Sequence, residues 1–336
     1  MGKNFPSVSV VVPCRNEKEH IEGCIRSILS QEYPKDKIEF IVVDGMSDDG
    51  TRDVLLRVME EDSRLKIVDN PKRITPCARN IGIREAYGEY VAILDAHTVY
   101  ASSYICTCVK LLEEHPEVCC VGGPIISMGK GFFGRATAAA MSHPLGVGNA
   151  KHRFPNYEGY AEGACFPVFR KEIFDKVGFF DEDLVRNQDD EFNFRVALSG
   201  EKVFLSPRAQ CTYYVRESPA ELFWQFFQYG FYRVVVLRKH RLPISLRHFV
   251  PIIFFSLVCV ASLSGFWLSG WWNLIAVSLP MVYVLTLIMA GISLRGKLGI
   301  LVGLVFPFAA ATIHFAYAVG FAWAFFKGAS LRTEVI

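Results

Sequence analysis

The feature that most limits what this chain can fold into is a loss of charge towards its end. No Asp, Glu, Lys or Arg occurs from position 249 to 294, and after Arg295 and Lys297 none occurs from 298 to 326. A helix that crosses a bilayer needs about 20 consecutive apolar residues. The first gap therefore predicts two spans, near 250–268 and 272–292. The second holds 29 residues, too few for two crossings, so it predicts one span in which Pro307 marks a kink. A buried helical core without membrane is the alternative, but these lengths exceed those of ordinary core helices. The hydrophobic fraction of 51% is above the usual share of a soluble protein.

The preceding residues carry the marks of a cytoplasmic domain. The opening MGKNFPSVSV has no long apolar segment behind a basic start, so no secretory signal is expected. Pro6 stands where myristoylation requires Ser or Thr. The ten cysteines form no Cys-x-x-Cys pair, a pattern of reduced thiols rather than disulfides or structural zinc. Arg233, Arg238, Lys239, Arg241 and Arg247 crowd the entry to the first span, as expected of its cytoplasmic side. Arg295 and Lys297 then fall on the same side after an uncharged turn at 269–271, whereas Lys327 and Arg332 fall outside if there are three spans. The chain thus reads as a multi-pass protein of the cell membrane. The net charge of +2 says little about partners, and no nucleic-acid partner is expected.

Before the spans, strands alternate with helices. SVSVVV (7–12) has strand character and leads into a helix over 19–31; FIVV (40–43) leads into a helix starting near Thr51. Residues 65–69 predict a third strand, 76–86 a helix and 90–94 a fourth strand. This alternation predicts an α/β fold with a mostly parallel sheet, in which ligands collect beyond the carboxyl ends of the strands. Residues 13–17, 44–51 and 95–98 should then converge on one cleft. From Gly122-Gly123 to Arg153 the pattern is irregular and reads as substrate-facing. Gly146-Val-Gly148 lies there, but no strand leads into it, which argues against a dinucleotide fingerprint. Helices are expected over 171–177 and 189–198. The expected domains are 1–215, an amphipathic segment over 216–247, and about three transmembrane helices over 248–327.

Several polar residues gather at the expected cleft. Asp95 and His97 end the apolar run VAIL, and by period-two alternation they point the same way. A carboxylate and an imidazole can complete the shell of a divalent cation whose other ligands are phosphate oxygens; His favours Mn²⁺ over Mg²⁺. A capped turn is the alternative. Asp44 either accepts hydrogen bonds from a base N–H or caps its own turn. Arg79 either neutralises phosphate or lies solvated at the surface. The acidic group Asp189-Asp190-Glu191 either supplies a general base or favours the start of a helix.

Together these segments resemble the family 2 inverting glycosyltransferases of GT-A fold, over about residues 7–195. SVSVVVPCRNE is similar to the family's first strand and Pro-x-x-Asn-Glu turn; FIVVDGMSDDGT resembles its Val-Asp-Asp-Gly-Ser-x-Asp-Gly-Thr motif. CARNIGIREAYGEYVAILDAHT resembles the Ala-Arg-Asn-x-Gly segment leading into Asp-x-Asp, and FRKEIFDKVGFFDEDLVRNQDDEFNFRV the acceptor-side segment, whose acidic base motif stands six residues before an Arg. The loop HPLGVGNAKHR and the spans are similar to the membrane-bound exopolysaccharide members of the succinoglycan glucosyltransferase type.

The resemblance implies that Pro13, Glu17 and Asp44 border the base and ribose of a nucleotide-sugar, UDP-linked in most of the family, with Arg79 near the base or phosphates. It implies that Asp95 meets ribose or metal, that His97 holds the cation, that Asp189 is the general base and that Glu191 is the second acidic position. The chain departs from the pattern at Gly45, which replaces the second acid of Asp-Asp, and at His97, which replaces the second Asp of Asp-x-Asp. The family's processive synthases carry Gln-x-x-Arg-Trp; neither Gln225 nor Gln228 has Arg three residues on, which implies one sugar per binding event. The expected activity is metal-dependent transfer to a hydroxyl of a lipid-linked saccharide. A polyprenyl-phosphate sugar synthase is the nearest alternative, and a non-catalytic nucleotide-sugar sensor the alternative of another class. The stretch 220–241 mixes aromatics with a basic end, and would either lie on membrane lipids or pack on the catalytic domain. His314, inside the last span, is expected to bond a neighbouring helix.

Overall fold

The run VSVVVPC forms strand β1 (Val8–Cys14), in which every residue but Pro13 is buried. Its β-branched side chains suit a strand covered on both faces. In the computed structural model, which describes residues 5–240, 249–264 and 271–329, two compact units are present. One takes in residues 1–126 and 154–213, the other 127–153 and 214–336.

In the first unit, β1 lies between two parallel neighbours, β2 (Ile38–Asp44) and β4 (Tyr90–Ile93), with β3 (Leu65–Asp69) parallel to β2 on its outer side. The register sets Cys14 beside Asp44 and Asp44 beside Asp69, so the carboxyl ends of these strands share one edge. Helices α1 (Ile21–Leu29), α2 (Thr51–Glu61) and α3 (Thr75–Glu85) make the crossovers. Beyond β4, with α4 (Tyr104–Glu114) intervening in the chain, the sheet becomes mixed. Strand β8 (Cys165–Arg170) runs antiparallel to both β4 and β5 (Val118–Gly123), β9 (Lys202–Leu205) is parallel to β5, and β7 (Gly159–Ala161) is antiparallel to β9. The order is β3-β2-β1-β4-β8-β5-β9-β7. A separate ribbon pairs β6 (Ile125–Met128) with β10 (Cys211–Tyr214).

Alternation along β1 sends Val8, Val10 and Val12 to one core cluster and Val11 to the other. Helix α3 packs on β1 closely enough that a Cβ at Gly82 would collide with the Val11 side chain. This explains why the Ala-Arg-Asn-x-Gly segment needs glycine there. Helices α7 (Ile173–Val177) and α8 (Gln188–Leu198) complete this unit, with Phe174 and Phe192 in the second cluster.

The second unit contains α5 (Gly131–Met141), α6 (Pro144–Val147), α9 (Pro219–His240), α10 (Val250–Ser264), α11 (Trp271–Leu298) and α12 (Ile300–Phe326). Among the described residues, two stretches are long and apolar enough to cross a membrane, Val277–Leu298 and Ile300–Phe326. Helix α12 continues through Pro307 as one element. Helix α10 has 15 residues, too short for a crossing that needs about 20, and the rest of the expected first span lies outside the described residues, as do Arg241, Arg247 and Arg332. The described part of the 269–271 turn is Trp271, where α11 has already begun.

The irregular stretch through Arg153, read from sequence as substrate-facing within 1–215, contains the eleven-residue helix α5 and groups with the second unit. Its sequence, GFFGRATAAAM, is rich in Gly and Ala and shows little apolar periodicity, so no helical face stands out in it. Helix α9 packs on α12. A Cβ at Gly230 would strike the Tyr317 carbonyl and one at Gly320 the Phe227 carbonyl, so small residues on both helices let the backbones approach. Tyr283 Oη and His314 Nδ1 are 2.9 Å apart, the expected bond between neighbouring helices.

Candidate active site

The carboxyl edge of β1 and β2 is built by two turns that hold each other. Asn16 and Asp48 exchange hydrogen bonds: Asn16 Nδ2 donates to Asp48 Oδ1 at 2.9 Å and the Asp48 N–H to Asn16 Oδ1 at 3.1 Å. The Asn16 N–H donates to Ser47 Oγ at 2.9 Å, the Glu17 N–H to Thr51 Oγ1 at 2.8 Å and the Lys18 N–H to Asp49 Oδ2 at 3.1 Å. The acids of Ser-Asp-Asp-Gly-Thr thus brace the Arg-Asn-Glu turn. Asn16, Met46 and Arg73 around this edge have positive φ, the kind of backbone strain that collects at functional sites.

Asp44, expected to read the base or cap its turn, does the second. It is fully buried; Oδ1 accepts from the Ser47 N–H at 3.1 Å and Ser47 Oγ at 2.6 Å, and Oδ2 accepts from Arg52 at 3.0 Å. Its carboxylate is occupied by its own loop.

Pro13, Glu17, Asp95 and His97 line one cleft of about 170 Å³, together with Arg15, Gly45, Asn70 and Arg73. Strand β4 stops at Ile93, so His97 reaches this cleft from a turn and not by strand alternation. Tyr100, itself buried, fixes the Asp95 backbone: the Asp95 N–H donates to its hydroxyl at 2.8 Å. Burial pushes the Glu17 carboxyl above its ordinary pKa, His97 and His20 pull it down, and Asp95 pushes it up again. These side chains therefore share one electrostatic field. Among the described residues no group of three or more His, Cys, Asp and Glu is arranged to hold a metal by itself. The donor set at the tip of β4 is two side chains, which fits a cation that completes its shell with phosphate oxygens.

Arg79 is buried rather than solvated. It is ion-paired with Asp189 and lies over the Phe180 ring at 5.0 Å. Burial lowers its pKa, and the Asp95 charge acts in the opposite direction. The next residue, Asn80, fastens the segment that carries Phe180: Nδ2 donates to the Phe180 carbonyl at 2.8 Å and Oδ1 accepts from the Phe180 N–H at 2.9 Å.

Asp189 and Glu191, expected as base and second acid, have different surroundings. The Asp189 side chain is 59% exposed. Glu191 is 0% exposed and accepts from Arg195 Nε at 3.1 Å and Nη2 at 2.8 Å. Arg195 also donates to the carbonyls of Val177 and Phe179. Glu191 is thus sealed from solvent and bonded to Arg195, whereas Asp189 is open to it. Sequence reasoning missed Tyr100 and Asn70, because a lone Tyr or Asn near a strand end has no spacing to mark it.

Comparison with known proteins agrees with this architecture. The family model "Glycosyl transferase family 2" matches residues 9–178. The "Succinoglycan biosynthesis protein ExoA" of Rhizobium meliloti (strain 1021) is 34% identical over 247 residues, 72% of this chain and 74% of that protein. A "Dolichyl N-acetyl-alpha-D-glucosaminyl phosphate 3-beta-D-2,3-diacetamido-2,3-dideoxy-beta-D-glucuronosyltransferase" of Methanococcus voltae is 28% identical over 69% of this chain and 74% of that one. The structure of "Mannosyltransferase PcManGT from Pyrobaculum calidifontis in complex with GDP-Man and Mn2+" superposes with a TM-score of 0.62 at 22% identity, over 96% of this chain and 88% of that one, which shows a shared fold. The α/β sheet, the order of its motifs and the extent of these matches establish that the chain belongs to glycosyltransferase family 2.

Proposed function

We propose that the protein is a membrane-anchored inverting glycosyltransferase that moves one sugar from a UDP-sugar to a hydroxyl of a lipid-linked saccharide, with its catalytic domain (1–215) at the cytoplasmic face of a multi-pass anchor. The observation that carries the reading is the edge where Glu17, Asp95 and His97 share a cleft and buried Arg79 ties that edge to exposed Asp189. Asp95 and His97 would hold a divalent cation, Mn²⁺ before Mg²⁺. When bound, it offsets negative charge on the departing diphosphate. Asp189, open to solvent, takes the proton of the acceptor hydroxyl as that oxygen attacks the anomeric carbon from the face opposite the leaving group. Arg79 holds Asp189 in place and adds positive charge on the diphosphate side. A lipid-linked acceptor is supported by the Methanococcus relative, whose name gives a dolichyl sugar phosphate, and by the two apolar helices.

The test is nucleoside diphosphate release by detergent-solubilised protein, screening nucleotide-sugars with Mn²⁺, Mg²⁺ or EDTA and membrane lipid extract. The expected result is Mn²⁺-dependent release of UDP that is lost in His97→Ala. Turnover indifferent to EDTA and to His97 would remove the cation from the reading. Silence with every donor, alongside nucleotide binding, would establish a non-catalytic sensor instead.

A further inference from the structure

Asn70 follows β3 at the end of the cleft away from β4, and it is 1% exposed. Its Nδ2 donates to the Ile74 carbonyl at 2.9 Å, which fixes the orientation of the amide. Its backbone is also paired, the N–H to the Asp44 carbonyl at 2.8 Å and the carbonyl to the Arg73 N–H at 3.1 Å. Its Oδ1, by contrast, is buried and takes no hydrogen bond among the described residues. Buried side-chain acceptors in native proteins are satisfied in the large majority of cases, and an exception calls for a specific explanation. Here the residue lines the cleft beside Pro13, Arg15, Arg73 and Ile74. A ligand N–H entering this end of the cleft would satisfy it.

We propose that Asn70 Oδ1 is the specificity-determining acceptor for the ring N–H of the donor's base, the N3–H of uracil or thymine. The proposal rests on the nucleotide-sugar reading above. A uracil or thymine edge presents acceptor, donor, acceptor in order: O2, N3–H, O4. The complementary wall needs donor, acceptor, donor. Asn70 supplies the central acceptor, and the exposed guanidinium groups of Arg15 and Arg73 lie in the same cleft; Arg15 Nη1 already reaches the Arg73 carbonyl at 3.3 Å. A guanine edge presents two adjacent donors, N1–H and the N2 amino group, and requires two acceptors side by side. Asp44, fully buried and already accepting from Ser47 and Arg52, does not line this cleft to serve as the second. Among the described residues, Asn70 Oδ1 is the one buried side-chain acceptor of this cleft without a partner.

The experiment is direct binding of UDP, N3-methyl-UDP and GDP, each with Mn²⁺, to the solubilised full chain by calorimetry, for the wild type and for Asn70→Ala. The wild type should prefer UDP over GDP, and N3-methylation should weaken UDP binding by about 10- to 100-fold, the effect of one lost buried hydrogen bond. In Asn70→Ala, UDP binding should weaken by a similar factor and the methyl penalty should largely vanish. The methylated ligand tests the wild type alone, so the outcome does not depend on the variant folding. Equal binding of UDP and N3-methyl-UDP to the wild type would overturn the proposal, as would tighter binding of GDP, which leaves the glycosyltransferase reading standing. Binding of none of the three would overturn that reading together with this one.

Discussion

Asp189 and Glu191 stand two residues apart on α8, and the structure assigns them opposite consequences when neutralised. In Glu191→Gln, Arg195 would lose its anion while only 20% of its side chain is exposed. Breaking a buried ion pair costs about 3–5 kcal/mol. Arg195 retains the carbonyls of Val177 and Phe179, and the new amide still offers one acceptor, so the low end, about 3 kcal/mol, is expected. For a unit of this size that lowers Tm by roughly 6–12 °C. In Asp189→Asn, Arg79 keeps an amide acceptor and the Asp95 field, and the replaced side chain is mostly in water. The stability loss should be about 1 kcal/mol. Turnover should fall by about 10²–10⁴-fold, the usual contribution of a general base. The assay pairs thermal unfolding in detergent with transfer measured at saturating donor. Under these roles Glu191→Gln retains its kcat at a temperature where it is folded. A Glu191→Gln protein that melts like wild type yet is inactive, beside an active Asp189→Asn, would refute the assignment. Substantial activity in Asp189→Asn alone would favour a phosphate acceptor, which needs little proton removal.

Three further outcomes follow from the same geometry. Asp44→Asn should lower Tm, through about 1.5–3 kcal/mol of charged hydrogen bonding lost to Arg52 and Ser47, with UDP affinity nearly unchanged; a large affinity loss at constant Tm would return Asp44 to the role of base reader. Tyr100→Phe should raise the Mn²⁺ concentration needed for half-maximal activity by about 10-fold, because the hydroxyl that fixes Asp95 is gone; an unchanged Mn²⁺ titration would refute it. Glu182 is held at a pKa of about 2 by hydrogen bonds from Asn80, Lys72 and Cys77, below its ordinary 4.5. A depressed carboxylate adds stability above its unfolded pKa and loses it as pH falls, here between 4.5 and about 2. Unfolding measured across that window should show Glu182→Gln less acid-sensitive than wild type by about 1 kcal/mol, a value reduced for solvent screening.

The sequence reading located the parallel half of the sheet well, because β1, β2 and β4 are mostly apolar runs, broken by Ser9 and Glu39, that lead into polar turns. It brought Pro13, Glu17, Asp95 and His97 to one cleft for the same reason. What it could not separate were residues whose role depends on which way a side chain faces. Positions 189 and 191 lie about 200° apart around a helix, whereas 191 and 195 share a face. That phase is readable once the helix start is known, and it sorts the exposed acid from the buried pair. Asp44 could be read either way because Arg52 and Ser47, its partners, are unremarkable as letters. Helix α5, rich in Gly and Ala, shows no clear apolar stripe, and Asn70 gains meaning only from the missing partner of one atom.

The reciprocal bonds between Asn16 and Asp48 also bear on how such a site can be altered. The two turns are 32 positions apart in the chain, yet neither is complete alone: each supplies the partners for the other's side chains and amides. Transplanting one turn from a relative, without its counterpart, would exchange these bonds for water and loosen the edge beside the cleft. The heritable unit of this edge is the pair, and a graft meant to change the donor must carry both.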